Sequence, residues 1–166
     1  MKTLFIMRHA KSSWENSDLA DFDRPLNKRG LQAAPLMGET IRKNWFQIDL
    51  IVSSPAERAK QTAMLVKKAV QTQAGIEFDE RIYEANTQTL LEVVAGLNEN
   101  TQSVMLVGHN PGFENLVKVL TGKIEPMPTA ALAVIDLKTD KWSDVEAGSG
   151  SLRVLIRPKE AEQIRS

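Results

Sequence analysis

Two short apolar runs, each followed by a histidine, constrain the fold of this chain more than any other feature. One run covers residues 3–7 and leads to His9, and the other covers residues 103–107 and leads to His109. Apolar runs of this length, bounded by polar or glycine residues, are typical of strands buried in a covered sheet. Because open α/β sheets bind ligands at the carboxyl ends of their strands, we expect both imidazoles at a ligand-binding edge.

The rest of the chain alternates further apolar runs with longer amphipathic stretches. Residues 11–27 form a polar stretch that is long for a connection in a compact domain, and such loops are often functional. The pattern predicts strands at 48–52, 76–78, 131–137 and 152–156, and helices at 28–44, 55 to about 71, 87–97 and 111–120. This alternation favours an α/β fold, a three-layer α/β/α sandwich with a mostly parallel central sheet, and the closely spaced late strands predict an antiparallel edge.

The second of these helices has a clear predicted start. Ser54 is a suitable N-cap, Pro55 suits the first helical position, and Glu57 completes a capping box. Arg58 then lies in the first turn, and because this helix follows a strand, we expect Arg58 at the same sheet edge as the two histidines.

Composition excludes several classes of function. The 21 basic residues balance the 21 acidic residues, so no overall charge favours nucleic-acid or membrane binding. The absence of cysteine excludes disulfides and cysteine zinc sites, and two histidines exclude a histidine-rich metal site. The first apolar run is too short for a signal-peptide core, and no segment is long enough to span a bilayer. We therefore expect one cytoplasmic domain over residues 1–166, with no metal and no cofactor.

The residue types at the predicted edge suit phosphate chemistry. An arginine guanidinium is a planar, permanently charged fork that matches phosphate oxygens, and a neutral imidazole can attack phosphorus and hold the phosphoryl group. Each residue also has a structural alternative: a histidine hydrogen-bonded at a strand end, Arg8 paired with a carboxylate, or Arg58 solvated beside Glu57. Their joint placement after separate strands favours a phosphate site.

Three motifs resemble those of the histidine phosphatase superfamily, which is also called phosphoglycerate-mutase-like. Residues 8–14, Arg-His-Ala-Lys-Ser-Ser-Trp, resemble its Arg-His-Gly signature. Residues 53–63 resemble its second motif, whose arginine contacts phosphate, and residues 107–111 resemble its third, which carries a second histidine. The motifs occur in the order of the family and span most of the chain.

This resemblance implies roles for individual residues. His9 would be the phosphate-accepting nucleophile, and Arg8, Arg58 and His109 would line the phosphate pocket without a metal. Nearby arginines disfavour imidazolium, so His9 should be neutral at lower pH than a free histidine, whose pKa is about 6.5. Ser12 stands where the family often has a hydroxyl that donates to phosphate, although it can also be an ordinary loop residue.

One departure from the family signature points to a subgroup. Ala10 replaces the usual glycine, and together with residues 22–30 this resembles the small SixA-type phosphohistidine phosphatases more than the mutases.

Two further residues, Arg24 and Glu84, each have two possible roles. Within residues 22–30, Arg24 is either a third positive group near the site or a loop anchor paired with Asp21 or Asp23. Glu84 stands where many members place the acid that protonates the leaving oxygen, a role that requires a raised pKa; the alternative is a surface or helix-capping glutamate.

The chain length bears on the substrate. A chain of 166 residues has no room for the large cap insertions of longer relatives, and an open site admits a phosphorylated side chain of a protein. We therefore expect a phosphohistidine phosphatase that acts on a histidine phosphotransfer or phosphorelay protein. The alternatives are a small-molecule phosphomonoesterase, for which the partner is a small phosphoester, and a non-catalytic phosphoprotein-binding module. A dinucleotide site has little support because no glycine-rich loop follows the first strand.

Overall fold

A six-stranded mixed sheet, covered by helices on both faces, forms the centre of the computed structural model, which describes the backbone of residues 1–165 and the side chains of residues 1–162. The strands are β1 (Lys2–Arg8), β2 (Leu50–Ser53), β3 (Gly75–Phe78), β4 (Ser103–Gly108), β5 (Leu132–Leu137) and β6 (Gly150–Ile156). The helices are α1 (Lys28–Lys43), α2 (Glu57–Val70), α3 (Thr87–Ala95), α4 (Gly112–Thr121) and α5 (Pro158–Arg165). Every predicted strand and helix is present with slightly shifted ends, whereas the sequence pattern did not predict α5.

The strand order is β3-β2-β4-β1-β5-β6. The strands β3, β2, β4 and β1 run parallel, while β5 pairs antiparallel with β1 and β6 pairs antiparallel with β5. The α/β sandwich with a mostly parallel sheet and an antiparallel edge is therefore confirmed.

Each face of the sheet has its own apolar core, which explains why the central strands are continuously apolar rather than alternating. On one face, side chains such as Leu4 and Leu106 pack against α3 and α4. On the other, side chains such as Phe5 and Met105 pack against α1 and α2. Within the described part of the chain, no helix is both long enough and apolar enough to cross a bilayer.

The pairing of β1 with β4 brings the two histidines to one edge of the sheet. Arg8 is in register with Gly108, and the backbone N–H of His9 donates to the carbonyl of Gly108 at 2.9 Å. Both strands end here, so His9 and His109 leave the sheet side by side, as the sequence predicts.

The predicted N-cap at Ser54 is wrong. Helix α2 begins at Glu57 with Ala56 as its N-cap, and no side chain caps it. The N–H of Ser54 still donates to the carbonyl of Val107 at 2.9 Å, so sheet pairing keeps this residue extended and delays the helix. The capping box is also wrong, because the Glu57 carboxylate accepts a hydrogen bond from Gln61 instead.

The long polar loop after β1 is closed at its base. Ser12 forms a β-bridge with Leu26, and the N–H of Asn27 donates to the carbonyl of Lys11 at 2.9 Å. The Asn27 side chain then caps α1 by accepting from the N–H of Gly30. Gly30 packs so closely that a Cβ there would lie 2.2 Å from the Lys11 carbonyl oxygen.

Gly30→Ala therefore tests how the loop is held. We expect it to lower the free energy of unfolding by about 1–3 kcal/mol, because the clash is with backbone and forces the loop or helix to shift. Gly75→Ala is the matched control, since a Cβ at Gly75 meets no atom within 4 Å. Urea unfolding measures both variants, and equal stability would contradict the close approach at Gly30.

Candidate active site

Two imidazoles face each other at the carboxyl edge of the parallel strands. The ring centroids of His9 and His109 are 5.1 Å apart, with an angle of 53° between the ring planes. His9 follows β1, His109 follows β4, and Arg58 reaches them from the first turn of α2. The structure thus brings together three of the predicted site residues from three separate segments.

One hydrogen bond fixes the tautomer of His9. Its Nδ1 lies 2.6 Å from the carbonyl oxygen of Ala10. A carbonyl only accepts, so Nδ1 carries the proton and Nε2 keeps its lone pair. The Arg58 Nε donates towards this Nε2 at 3.4 Å. The unprotonated nitrogen of His9 therefore lies beside a cation that can attract an anionic group to it.

The surroundings of His9 favour its neutral form. Burial lowers the pKa of the ring to about 4, the hydrogen bond to the Ala10 carbonyl opposes this shift, and the charges of Arg58, Arg8 and Arg24 add to it. The expectation that nearby arginines keep His9 neutral agrees with this direction, although burial is the larger cause.

His109 is also held neutral. Burial lowers its pKa to about 3, with His9 and Arg58 adding to the shift. Its Nε2 lies 2.8 Å from the hydroxyl oxygen of Ser54, and the ring of Tyr83 packs edge-on against it at 5.5 Å between centroids. Its Nδ1 is buried and has no hydrogen-bond partner among the described residues.

A cavity of about 290 Å³ lies in front of the two histidines. Six of its lining residues are predicted site residues. The complete lining is Arg8, His9, Lys11, Ser12, Trp14, Arg24, Arg58, His109, Asn110 and Thr129. The excess of cations in this lining makes the cavity suited to an anion.

Arg24 lies where both of its predicted alternatives place it, and its role in substrate binding stays a prediction. Its guanidinium pairs with the carboxylate of Asp21 at 3.0 Å, so it anchors the loop, and Asp23 is not its partner. It also lines the cavity, where it donates to the hydroxyl of Ser12 at 2.7 Å and stacks 3.5 Å from the ring centroid of Trp14. Ser12 is accordingly held in the cavity wall by Arg24 rather than solvated in the loop.

Asp21 is the residue that sequence reasoning underestimated most. Its carboxylate accepts hydrogen bonds from Arg58 Nη2 at 3.0 Å and from the phenol of Tyr83 at 2.7 Å, in addition to Arg24. Its backbone carbonyl accepts from Arg58 Nη1 at 2.7 Å. Asp21 thus fixes both Nη atoms of Arg58 and leaves the Nε to face His9.

The protons of this network have defined positions. Partial burial raises the pKa of Asp21, but hydrogen bonds from Tyr83 and Arg24 and the charge of Arg58 outweigh it and lower the pKa to about 2. Burial and the hydrogen bond to Asp21 raise the pKa of Tyr83 to about 12. At neutral pH Asp21 is therefore a carboxylate and Tyr83 keeps its proton. No sequence motif identified Tyr83 as a site residue. Its position next to the predicted proton donor Glu84 was the only feature of the sequence that could have drawn attention to it.

Glu84 does not line the His9 cavity. It is exposed and borders a neighbouring cavity of about 450 Å³, to which His109 and Asn110 also contribute. Its backbone adopts a left-handed conformation with φ of 55°. The two cavities thus share His109 and Asn110. The role of Glu84 as proton donor stays a prediction.

Arg8 completes the cavity at the end of β1. Its Nη1 donates to the carbonyl of Met127 at 3.2 Å, while its Nε is buried and lacks a hydrogen-bond partner within the described chain.

Across residues 1–162, no group of three or more His, Asp or Glu side chains is arranged to hold a metal ion.

Comparison with known proteins identifies the family. The family model of the histidine phosphatase superfamily (branch 1) matches residues 4–101, more than half of the chain. The chain therefore belongs to the histidine phosphatase superfamily, and it is an enzyme of the phosphatase class. The match ends before His109, so the geometry above is what links His109 to this site.

Individual relatives agree with this assignment. The uncharacterized protein Rv1276c of Mycobacterium tuberculosis is 34% identical over 157 residues, which cover 88% of this chain and 96% of the relative. The phosphohistidine phosphatase SixA of Escherichia coli is 27% identical over 159 residues, which cover 93% of each chain. The structure of the protein histidine phosphatase SixA complexed with tungstate has a TM-score of 0.82 and 25% identity, covering 95% of this chain and 97% of that chain.

A pH titration followed by NMR tests the proposed electrostatics. The sequence contains only two histidines, so their imidazole nitrogen signals can be assigned with one substitution. We expect protonation only as the pH falls to about 4 for His9 and about 3 for His109, with the His9 proton on Nδ1 above that range. A His9 midpoint near the ordinary value of about 6.5 would contradict the account.

Asp21→Ala tests whether the carboxylate positions Arg58. We expect phosphatase turnover to fall by roughly 10- to 100-fold, because Arg58 loses a partner that holds it beside His9. Asp23→Ala, two residues away in the same exposed turn, is the matched control, since Asp23 makes no ion pair in the described part of the chain. Equal turnover in the two variants, with both folded by circular dichroism, would show that Asp21 does not act in this way.

Proposed function

We propose that this chain is a protein phosphohistidine phosphatase that works through a covalent phosphohistidine intermediate on His9. The Nε2 lone pair of His9 attacks the phosphorus atom, and the phosphorus–nitrogen bond to the substrate imidazole breaks. Water then attacks the phosphoryl group on His9, which releases inorganic phosphate and restores the neutral imidazole. Positioning and charge stabilisation supply most of the rate acceleration in such a transfer.

The remaining site residues have proposed roles in binding the transferred group. Arg8, Arg58 and His109 contact the phosphoryl oxygens, and Ser12 and Arg24 contribute from the loop. The cations stabilise the charge that shifts between nucleophile and leaving group. His109, although neutral, can donate a hydrogen bond to an oxygen from its Nδ1, which otherwise has no partner among the described residues.

The observation that carries the choice of substrate is that, among the described residues, the imidazole, carboxyl and phenol groups around His9 offer no free acidic proton. The lowered pKa values of His9, His109 and Asp21 leave all three without an acidic proton at neutral pH, and the proton of Tyr83 is held by Asp21. An alkoxide leaving group needs a proton from the enzyme, whereas a phosphohistidine ring that is already protonated on its second nitrogen leaves as neutral imidazole. These groups therefore support a phosphohistidine substrate over a phosphoester.

The proposed partner is a histidine phosphotransfer or phosphorelay protein. Two relatives at 27% and 25% identity carry the name SixA, one described as a phosphohistidine phosphatase and one as a protein histidine phosphatase. The second candidate function is a small-molecule phosphomonoesterase. Glu84 favours it, because this residue borders the neighbouring cavity together with His109 and stands where the family resemblance implies the proton donor for an ester oxygen.

A comparison of substrates tests the proposed function. We expect kcat/KM for a phosphohistidine-bearing protein to exceed that for a small phosphoester by roughly 100-fold or more, the range that a missing general acid costs. His9→Ala should abolish turnover of both substrates. A preference for the phosphoester would overturn the substrate assignment. Phosphate binding by the wild-type protein without any turnover would favour a phosphoprotein-binding module.

Glu84→Gln tests the proton donor separately. With phosphohistidine as substrate we expect turnover within about 3-fold of the wild-type rate, because the leaving group needs no enzyme acid. With a phosphoester, a loss of roughly 100-fold or more would identify Glu84 as the acid for that substrate class. A loss of that size with phosphohistidine would contradict the leaving-group argument. Glu80→Gln, on an exposed residue of the same connection, is the matched control.

A further inference from the structure

A third cavity, of about 720 Å³, adjoins the His9 cavity and shares two lining residues, Lys11 and Thr129, with it. We refer to it as the basic groove. Its lining comes from the loop after β1, from α1, from the segment before β5 and from α5. The lining residues are Lys11, Arg29, Gln32, Ala33, Leu36, Pro128, Thr129, Arg157, Pro158, Lys159 and Glu162.

Three exposed cations that line the basic groove have no partner within the part of the chain that the structure describes. Lys11, Arg29 and Lys159 form no side-chain hydrogen bond and no ion pair within the described residues. Arg157 differs from them, because its guanidinium pairs with Glu125 and Glu160. The unpaired cations outnumber the one acidic lining residue, Glu162, in a chain whose overall formal charge is zero. Positive charge is thus concentrated beside the His9 cavity.

Two of these cations lie where local helix energetics disfavour them. Arg29 is in the first turn of α1, which has no acidic residue, and Lys159 is in the first turn of α5. A cation near a helix N-terminus is opposed by the helix dipole, so helix stability does not account for either residue. The lining also contains apolar side chains, including Leu36, Ala33 and Pro158.

We propose that the basic groove binds an acidic surface of the protein substrate next to its phosphorylated side chain. This inference deepens the proposed function and rests on it. A lining that combines exposed cations with apolar side chains matches the mixed polar and apolar composition of a protein–protein interface. Cations spread over three elements suit several separate carboxylates, whereas a compact small-molecule anion requires convergent donors. The shared residues Lys11 and Thr129 make the groove continuous with the cavity that would receive the phosphoryl group.

The first experiment measures binding without turnover. The probe is an unphosphorylated peptide with four glutamates, titrated into ¹⁵N-labelled protein, and its control is the same peptide with four glutamines. We expect the glutamate peptide to shift the amide signals of Gln32, Ala33 and Thr129. The shifts should weaken with added salt, because screening reduces attraction between exposed charges.

Charge reversal assigns the binding to the basic groove. Arg29→Glu with Lys159→Glu should abolish the glutamate-dependent shifts. Both changes place an acidic residue in the first turn of a helix, where the dipole favours it, so the variant should fold. The matched control is Lys138→Glu with Lys141→Glu, which makes the same charge change on exposed residues of the β5–β6 connection. This connection lies at the amino ends of the parallel strands, away from the groove. Equal glutamate-peptide binding by both double variants, or no glutamate-dependent binding by the wild type, would overturn the proposal.

The second experiment measures turnover of two peptides that carry phosphohistidine beside four glutamates or four glutamines. We expect the wild type and the control variant to prefer the glutamate peptide by roughly 10-fold in kcat/KM, and the groove variant to lose this preference. Glutamate-dependent binding without hydrolysis of either peptide would support the groove and refute the phosphohistidine function. Hydrolysis of both peptides at equal rates would support the function and refute the groove.

Discussion

The parallel pairing of β1 with β4 is the constraint on which the rest of the site depends. It aligns Arg8 with Gly108, so the next residues, His9 and His109, leave the sheet side by side. Both faces of these strands are buried, and a one-residue slip would turn every side chain to the opposite face. The remaining groups approach this fixed pair from the loop after β1 and from the first turn of α2.

Burial and charge together give the site a particular chemical character. The two imidazoles are neutral because they are buried near arginines, and one carboxylate, Asp21, holds Arg58 in place while it stays ionised. Such a site can bind and stabilise an anion but has little capacity to donate protons. That limitation links the electrostatics to the proposed substrate, because phosphohistidine has a leaving group that does not require an enzyme acid.

Features set by the strands can be predicted from the sequence, whereas contacts between distant segments cannot. The strand ends locate His9 and His109. The prediction that Arg58 lies in the first turn of α2 is also correct, although the predicted N-cap at Ser54 is wrong because Ser54 pairs with the sheet instead of capping the helix. Tyr83 and Asp21 are 62 residues apart, and their contact depends on the path of the loop, which no periodicity encodes. Helix α5 escaped prediction because the only side chain it buries in the core among the residues described is Ala161.

The proposed mechanism requires that Nε2 of His9 carries the phosphoryl group. The most direct measurement is rapid mixing of the enzyme with a phosphohistidine-bearing protein, followed by an alkaline quench and ³¹P NMR and peptide mapping of the enzyme. Because the Ala10 carbonyl holds the proton on Nδ1, we expect an acid-labile phosphoryl group on His9, attached at Nε2. A label on Nδ1 of His9 or on His109, or turnover without any covalent label, would contradict this mechanism.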